Sequence, residues 1–446
     1  MESQRPSRIL ILGGGFAGIS VAQRLESRLR PHEAEIVLVS RENFSLFTPM
    51  LPEVSSGALD VRQVATPIRS QLRRTQFILA DVTEIDAGRN RVSIEHILTR
   101  ESEDLTYDQL VVALGSSTST FNLPGVAERV FALKTLEDAG ILRNRIVWLL
   151  ELADSTSDQE QRRRLLTLVV VGGGFTGVEA AGEFVELFHS VVRYYPRIKL
   201  ADIRLVLVEG GPVLLSGLPA KMGRYSYDAL LRRKVEIITS DGVAGADDRG
   251  LVLQSGRRIE TATIVWSAGV TPSATVANSS LPRTKHGALL VEENFRVKGT
   301  TNVWAAGDCA AIPNGEGGTY PATAQHAIRE GPVLADNIVA ALRGGALTRF
   351  RFHSLGMMAS LGARKAVAQL PGDRVLTGFL AWFLWRSYYL LRLPGLDRKL
   401  RVAFDWTLDL LFPRDIAELR VYTRHAQSSA ADPVDGITEE PGPGRE

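Results

Sequence analysis

"ILILGGGFAGISVAQRL" occupies residues 9–25, and "LVVVGGGFTGVEAAGEF" occupies residues 168–184. Each opens with an apolar run, passes through three glycines and a fourth three residues on, and continues in small, helix-favouring residues. The runs at 8–12 and 168–171 read as strands buried on both faces of a parallel sheet. Helices are expected to about residue 29 after the first turn and about residue 194 after the second. Strand, glycine turn and helix, written twice, predict an α/β chain with two Rossmann-like dinucleotide-binding domains.

The glycines have separate tasks. Gly13 and Gly172 permit the tight turn. Gly15 and Gly174 let the backbone approach a pyrophosphate. Gly18 and Gly177 let the helix lie close on its strand, and the helix start offers N–H groups to phosphate. The plain alternative is two glycine-rich turns in an α/β sheet. The strand after each turn separates the two sites. "DIRLVLVEG" ends in Glu209, which can accept both hydroxyls of a ribose and repels a 2′-phosphate, so NADH is expected over NADPH. "AEIVLVSREN" ends in Ser40 and Arg41 where the acid is missing; Ser40 can bond a ribose, and Arg41 can stack on adenine or meet a phosphate. A third stretch, "TNVWAAGDCAAI" (301–312), ends a strand in Asp308 beside a glycine. Such an Asp can bond the ribityl chain of a flavin, or it can simply cap a helix. With two dinucleotide turns in the same chain, the flavin reading is preferred.

The bulk numbers set limits. At 446 residues two or three domains are expected. With 52 basic and 50 acidic residues, the net charge of +2 gives no argument for nucleic acid. One cysteine, Cys309, excludes an internal disulfide, a Cys-x-x-Cys redox pair and a cysteine-rich metal site, and suits a reducing compartment. Cys309 reads as a packed small residue before it reads as a working thiol. No metal cluster and no Ser–His–Asp arrangement is evident, and His96, His189, His286 and His353 read as surface or packing histidines. The start "MESQRPSRIL" has no apolar signal region. No apolar window reaches ~18 residues, so no spanning helix is expected.

Together these stretches resemble the two-dinucleotide-binding-domain flavoproteins, specifically the type II NADH dehydrogenases (NADH:quinone oxidoreductases). The likeness runs over about residues 8–422. It is carried in order by "GGGFAG" with "NFSLFTPMLPEVSSG" (43–57), "YDQLVVALGS" (107–116), "GGGFTGVEAAGEF", "TIVWSAGVTP" (263–272), "VWAAGDCA" and "PATAQHAIREGPVLADNI" (321–338). The resemblance implies a split FAD domain, 1–118 and 292–346, with an NADH domain, 119–291, inserted. The two copies of the turn then serve FAD and NADH, with nicotinamide lying against isoalloxazine. It implies hydride transfer from NADH to FAD, and two electrons passed to a membrane quinone. Phe16, Ala113, Gly115, Ala324 and Gln325 join the FAD residues, and Ala268 and Gly269 join the NADH residues. Trp266 to Gly269 would lie along NADH, and Pro49 to Pro52 would form a loop over the flavin. Glu179 and Gln325 are the catalytic candidates: Glu179 in the relay of protons and charge, Gln325 toward the quinone. The alternative for Glu179 is a carboxylate stabilised by a helix start; Glu183 reads as structural. His326 is the one histidine close to Gln325. Arg329 and Glu330 stand where many members have glutamines, which weakens inference about quinone contacts.

Region 347–425 carries the second specific part of the likeness, "AWFLWRSYYLL" and "GLDRKLRVAFDW". Trp382, Trp385 and Trp406, with further aromatic residues and Arg386, Arg392, Arg398, Lys399 and Arg401, suit a bilayer interface. Two short amphipathic helices split at Pro394-Gly395 are expected on the lipid surface; a helical pair packed on the rest of the chain, or a dimer interface, is the alternative. A peripheral protein on the cytoplasmic face of the membrane follows, and a homodimer stays open. Residues 426–446 are polar, rich in Pro and Gly, and expected to be disordered. Rival readings are a sulfide:quinone or thiol-disulfide reductase, which need paired cysteines; a soluble NADH-dependent reductase of another acceptor; and a flavin-bearing NADH sensor.

Overall fold

The computed structural model describes residues 5–418 except Asp373, so the expectation for 426–446 lies outside the described residues. The chain divides into two compact units. Unit 1 comprises 5–48, 65–118 and 270–353; unit 2 comprises 49–64, 119–269 and 354–418.

Unit 1 is built on a seven-stranded sheet. In order across it lie Val303–Ala305, Gln109–Val112, Ser7–Leu12, Ala34–Ser40, Gln76–Asp86, Arg91–His96 and Ser102–Thr106. The first five are parallel and the last two turn back antiparallel. Ile9 to Leu12 and Val37 to Val39 are fully buried, as a sheet covered on both faces requires. The Phe16–Arg28 and Ala324–Leu342 helices lie against each other so closely that a Cβ on Gly331 would meet Ser20 Cβ at 2.6 Å and Ala17 O at 3.0 Å.

Unit 2 has its own five-stranded parallel sheet, ordered Val130–Ala132, Thr263–Trp266, Thr167–Val171, Arg204–Val208 and Glu236–Ile238. The Phe175–Val191 helix follows the second glycine turn, and twelve of its residues are buried, so it is covered on nearly every side. Part of that cover is a three-stranded antiparallel sheet, Met358–Ser360, Ala366–Leu370 and Arg374–Gly378, which the sequence reading does not anticipate. Gly182 is the contact point: a Cβ there would meet the Leu361 carbonyl at 2.5 Å. Two helices follow, Phe379–Arg392 and Leu396–Leu411, divided at Pro394-Gly395.

The unit bounds depart from the expected domain bounds. Residues 270–291 belong with unit 1, because Val270–Pro272 pairs with Ser116–Thr118 and Thr275 Oγ1 donates to Val82 O at 2.9 Å. Residues 347–353 also stay with unit 1, where Phe350 is in the core. Residues 49–64 belong with unit 2; the expected loop at Pro49 to Pro52 is helical, Thr48–Met50 and Leu51–Ser55, with Met50, Leu51 and Pro52 buried.

Candidate active site

In unit 1 the ends of four neighbouring parallel strands form one rim. Ser7–Leu12 runs into Gly13, Ala34–Ser40 into Arg41, Gln109–Val112 into Ala113, and Val303–Ala305 into the turn holding Asp308. Gly13 has φ +108°, and a Cβ there would strike Ala113 O at 2.2 Å. A Cβ on Gly18 would meet Gly13 O at 1.9 Å, while nothing lies within 4 Å of one on Gly15. The turn is therefore closed toward the sheet and open over the start of the Phe16–Arg28 helix, which has no side-chain cap. That is a cradle for a pyrophosphate. Ser40 stands beside the turn, its Oγ 2.7 Å from a Cβ built on Gly14, and Arg41 is exposed. Asp308 accepts from Ser116 Oγ at 2.6 Å, and Gly115 has φ +66°. A carboxylate on the rim of an open phosphate cradle fits the hydroxyls and pyrophosphate of FAD.

The Ala324–Leu342 helix starts near the same rim. Gly307 N donates to Glu330 Oε2 at 2.8 Å, so this buried carboxyl holds the turn that carries Asp308; burial raises its pKa to about 7. Arg329 donates to Gln325 O at 2.7 Å and lies over the Phe352 ring. The departures from the glutamine pattern thus fix the turn and the helix start. His326 is buried, 2.7 Å from Thr323 Oγ1, and burial with nearby Arg329 lowers its pKa, which keeps it neutral at pH 7. Cys309 is fully buried and its thiol is pushed up to about 12, so it is a packing residue.

Unit 2 repeats the cradle. Gly172 has φ +109°, a Cβ on Gly177 would meet Gly172 O at 1.8 Å, and nothing lies within 4 Å of one on Gly174. Ala268, which follows the Thr263–Trp266 strand, lies against Gly172, with its N 2.9 Å from a Cβ built there. Glu209 sits beside this turn as Ser40 sits beside the first. Its two oxygens accept from Gly173 N and Gly211 N, each at 2.6 Å, which fixes a negative charge at the edge of the cradle. Phe121, exposed and with φ +53°, lies over Gly269; it sits in an irregular segment and left no sequence signal. Trp266 is a correction: it is buried, packs 6.4 Å from Phe121, and donates to Ser119 O at 2.8 Å, so it is core and not ligand-facing.

The helix behind the second cradle carries two buried carboxyls one turn apart. Glu179 Oε1 accepts from Ser360 N at 2.9 Å and Trp385 Nε1 at 3.1 Å. Burial raises its pKa to about 8, against the pull of those two bonds. Glu183 Oε2 accepts from Arg414 Nη2 at 2.9 Å and Ser56 Oγ at 3.2 Å. Trp385, Trp406 and Arg386 are a second correction. The two indoles are buried rather than at an interface, and Arg386 is held over the Trp382 and Trp406 rings, 4.5 Å from each centroid. Burying an aromatic side chain of this size contributes about 2–3 kcal/mol.

The family model described as pyridine nucleotide-disulphide oxidoreductase matches residues 7–331, and the NDH2 C-terminal domain matches 354–415. The type II NADH:quinone oxidoreductase of Mycobacterium tuberculosis is 33% identical over 428 residues, covering 93% of this chain and 90% of that protein. The chain belongs to the type II NADH:quinone oxidoreductase family. Among further relatives, a probable NADH dehydrogenase of Dictyostelium discoideum is 32% identical and covers 92% of this chain and 91% of that one. The solved structure of NDH2 from Plasmodium falciparum in complex with NADH superposes with a TM-score of 0.85 at 21% identity, over 93% of this chain and all of that one, a likeness of fold. The family's C-terminal domain match begins four residues before Met358–Ser360 and includes Arg414, so the most family-specific part of the chain is the part that covers Glu179 and Glu183.

Proposed function

We propose that the chain is an FAD-dependent NADH dehydrogenase that delivers two electrons to a membrane quinone. The observation that carries it is the duplicated cradle, one copy edged by Ser40 and the other by Glu209. In this reading the first cradle holds FAD, with pyrophosphate on the backbone around Gly13, Gly15, Phe16 and Gly18 and the ribityl chain at Asp308. Ser40 and Arg41 take the adenosine end, and Ala113, Gly115, Ala324 and Gln325 line the remainder. The second cradle holds NADH, with pyrophosphate at Gly172, Gly174 and Gly177, ribose at Glu209, and the chain continuing past Ala268 and Gly269. When bound, FAD accepts the hydride of NADH and gives up two electrons to the quinone. The protein orients both dinucleotides, excludes water, and keeps a proton at Glu179, whose raised pKa leaves it protonated at pH 7. Gln325 serves the quinone side.

No helix among the described residues is long and apolar enough to cross a membrane. The outer faces of the two C-terminal helices expose Phe379, Leu380, Phe383, Leu391, Leu396, Leu400, Phe404, Leu411 and Phe412, each more than half accessible. Arg392 and Arg401 are exposed among them. This face supports peripheral attachment to lipid. The membrane face we propose is the cytoplasmic one, since a charged dinucleotide does not cross lipid.

Protein purified in detergent should be yellow, release FAD on denaturation, and oxidise NADH quickly only when quinone is added. Rapid reduction by NADH without quinone turnover would favour a sensor or another acceptor. Replacing Phe383 and Phe404 by Glu, each worth ~2 kcal/mol on burial, should weaken binding to anionic vesicles about a thousand-fold. Undiminished binding of that double variant would show that the anchor lies elsewhere.

A further inference from the structure

The proposed reaction has a proton balance. NADH, one proton and quinone give NAD+ and quinol; the hydride supplies the electron pair and one hydrogen, and the second proton comes from water. Glu179 is only 7% exposed, so on the reading that it serves the quinone half-reaction it needs a route to solvent.

Unit 2 holds the parts of one. Glu183 is one helical turn from Glu179, on the same face. Its partner Ser56 lies 3.0 Å from Glu53 O on the Leu51–Ser55 helix. Glu53 is itself buried: Oε1 accepts from Trp406 Nε1 at 3.1 Å, and Oε2 has no hydrogen-bond partner among the described residues. Burial first, then the charge of Glu183, raise the Glu53 pKa to about 8, against the cations of Arg386 and Arg414. Arg233 with its partner Glu186, and Asp409, are further charged groups around this cluster, and the phenol of Tyr389 faces Glu179. A cavity of about 400 Å³ reaches it from outside, lined by Val54, Gly57, Asp405, Asp409 and Arg414 among others. That volume holds several waters; its wall is mostly apolar, and Asp405, Asp409 and Arg414 are among the charged side chains that give those waters partners. Asp405 Oδ2 is a second buried carboxyl oxygen without a hydrogen-bond partner among the described residues, and burial raises the pKa of that group too.

We propose that Glu53, Glu183 and Glu179 form a proton relay that carries the solvent proton from the Asp405–Asp409 cavity to the quinone reaction. No electrons move along it. Each proton that leaves Glu179 is replaced through Glu183 and Glu53, and Glu53 is recharged from cavity water. The Arg386 and Arg414 cations pull the Glu53 pKa down against its burial. Glu53 acts through Glu179 and is a positioning residue, not a catalytic one.

Glu53→Gln keeps the volume and the acceptor for Trp406 and removes the titratable proton. Rapid mixing should show the loss in oxidation of the NADH-reduced enzyme by a short-chain quinone, about ten-fold and growing as pH rises. Reduction by NADH should keep its rate, and Glu53→Asp should restore part of the pH profile. Infrared difference spectra of the wild-type protein at pH 7 should contain the C=O stretch of a buried protonated carboxyl that Glu53→Gln lacks. If Glu53→Gln does not fold, Asp405→Asn at the cavity decides, with slowed oxidation of the reduced enzyme expected. A wild type that reduces quinone, beside variants with its rate, pH profile and infrared band, overturns the relay alone. A wild type that does not reduce quinone overturns the functional reading and the relay with it.

Discussion

The two glycine turns are close to superimposable in what their backbones do. Gly13 and Gly172 share a φ within one degree, Gly18 and Gly177 each press on the carbonyl of the first glycine, and both helices start uncapped. They differ in what comes next. At the strand end, Ser40 stands where Glu209 stands in the other copy. One turn into the helix, Ser20 of the first copy meets Gly331, while Glu179 of the second meets the backbone of Ser360 and the indole of Trp385. A turn further, Arg24 is partly exposed and paired with Asp336, while Glu183 is sealed by Arg414. Glycines thus set the phosphate cradle, and its chemistry is set by residues outside the motif. The first helix carries no buried carboxyl at these places; the second carries two, Glu179 with its pKa raised by burial and Glu183 paired with Arg414.

The largest effect that could break this comparison is steric. An alanine at Gly18 or Gly177 drives its Cβ into a carbonyl oxygen, and the helix must shift off its strand. Gly18→Ala should purify with little or no FAD. Gly177→Ala should keep its FAD and lose reduction by NADH about a hundred-fold, since a displacement near 1 Å has that scale. Flavin content per chain and stopped-flow reduction measure the two. The opposite pattern would exchange the assignments of the cradles.

The next effect concerns the helices. Glu179 has an ordinary value of 4.5 raised to about 8 in the folded chain. Between those values the folded state keeps a proton that the unfolded state releases, so this contribution to stability is full below the lower value and is lost as pH rises through the upper. Denaturant unfolding across this range should show stability falling, and Glu179→Gln should flatten the fall by up to about 1.4 kcal/mol per pH unit. Ser20→Ala in the first helix should leave the pH dependence alone. An unchanged slope in Glu179→Gln would mean that Glu179 is ionised in the folded protein.

The smallest effect sharpens the strand ends. Glu209→Gln should narrow the preference for NADH over NADPH about ten-fold, the 1–2 kcal/mol of one charged hydrogen-bonding group. Ser40→Ala should leave that ratio where it was. Steady-state kcat/KM with both nucleotides is the measurement. A wild type that uses both equally would remove Glu209 from the ribose.

What was legible in the sequence is what is local. The turns, the strands feeding them and the break at Pro394-Gly395 fall where apolar period and glycine placement put them. Partners distant in the chain carried no such mark. Nothing in the Met358–Gly378 stretch announces that its strands cover Glu179, and the aromatic and basic composition of the last helices hides that Trp385, Trp406 and Arg386 face inward while Phe383 and Phe404 face out. Composition names the residues suited to an interface; only packing decides which of them reach it. The same holds for Leu51–Ser55: Pro49 to Pro52 read as a loop over the flavin, and nothing local marks Glu53 as buried.

Arg414 has a consequence for how the chain is made. Unit 2 is assembled from three separate stretches of sequence, and the cation that neutralises Glu183 is among the last residues described. During synthesis at ~5–20 residues per second, this unit waits for residues 354–414 before its buried carboxyls are covered. Unit 1 has all its strands once residue 353 has emerged. A chain that terminates before residue 414 therefore carries an unpaired buried charge at Glu183, a defect of about 3–5 kcal/mol. Only chains that extend through Arg414 can seal Glu183 inside unit 2.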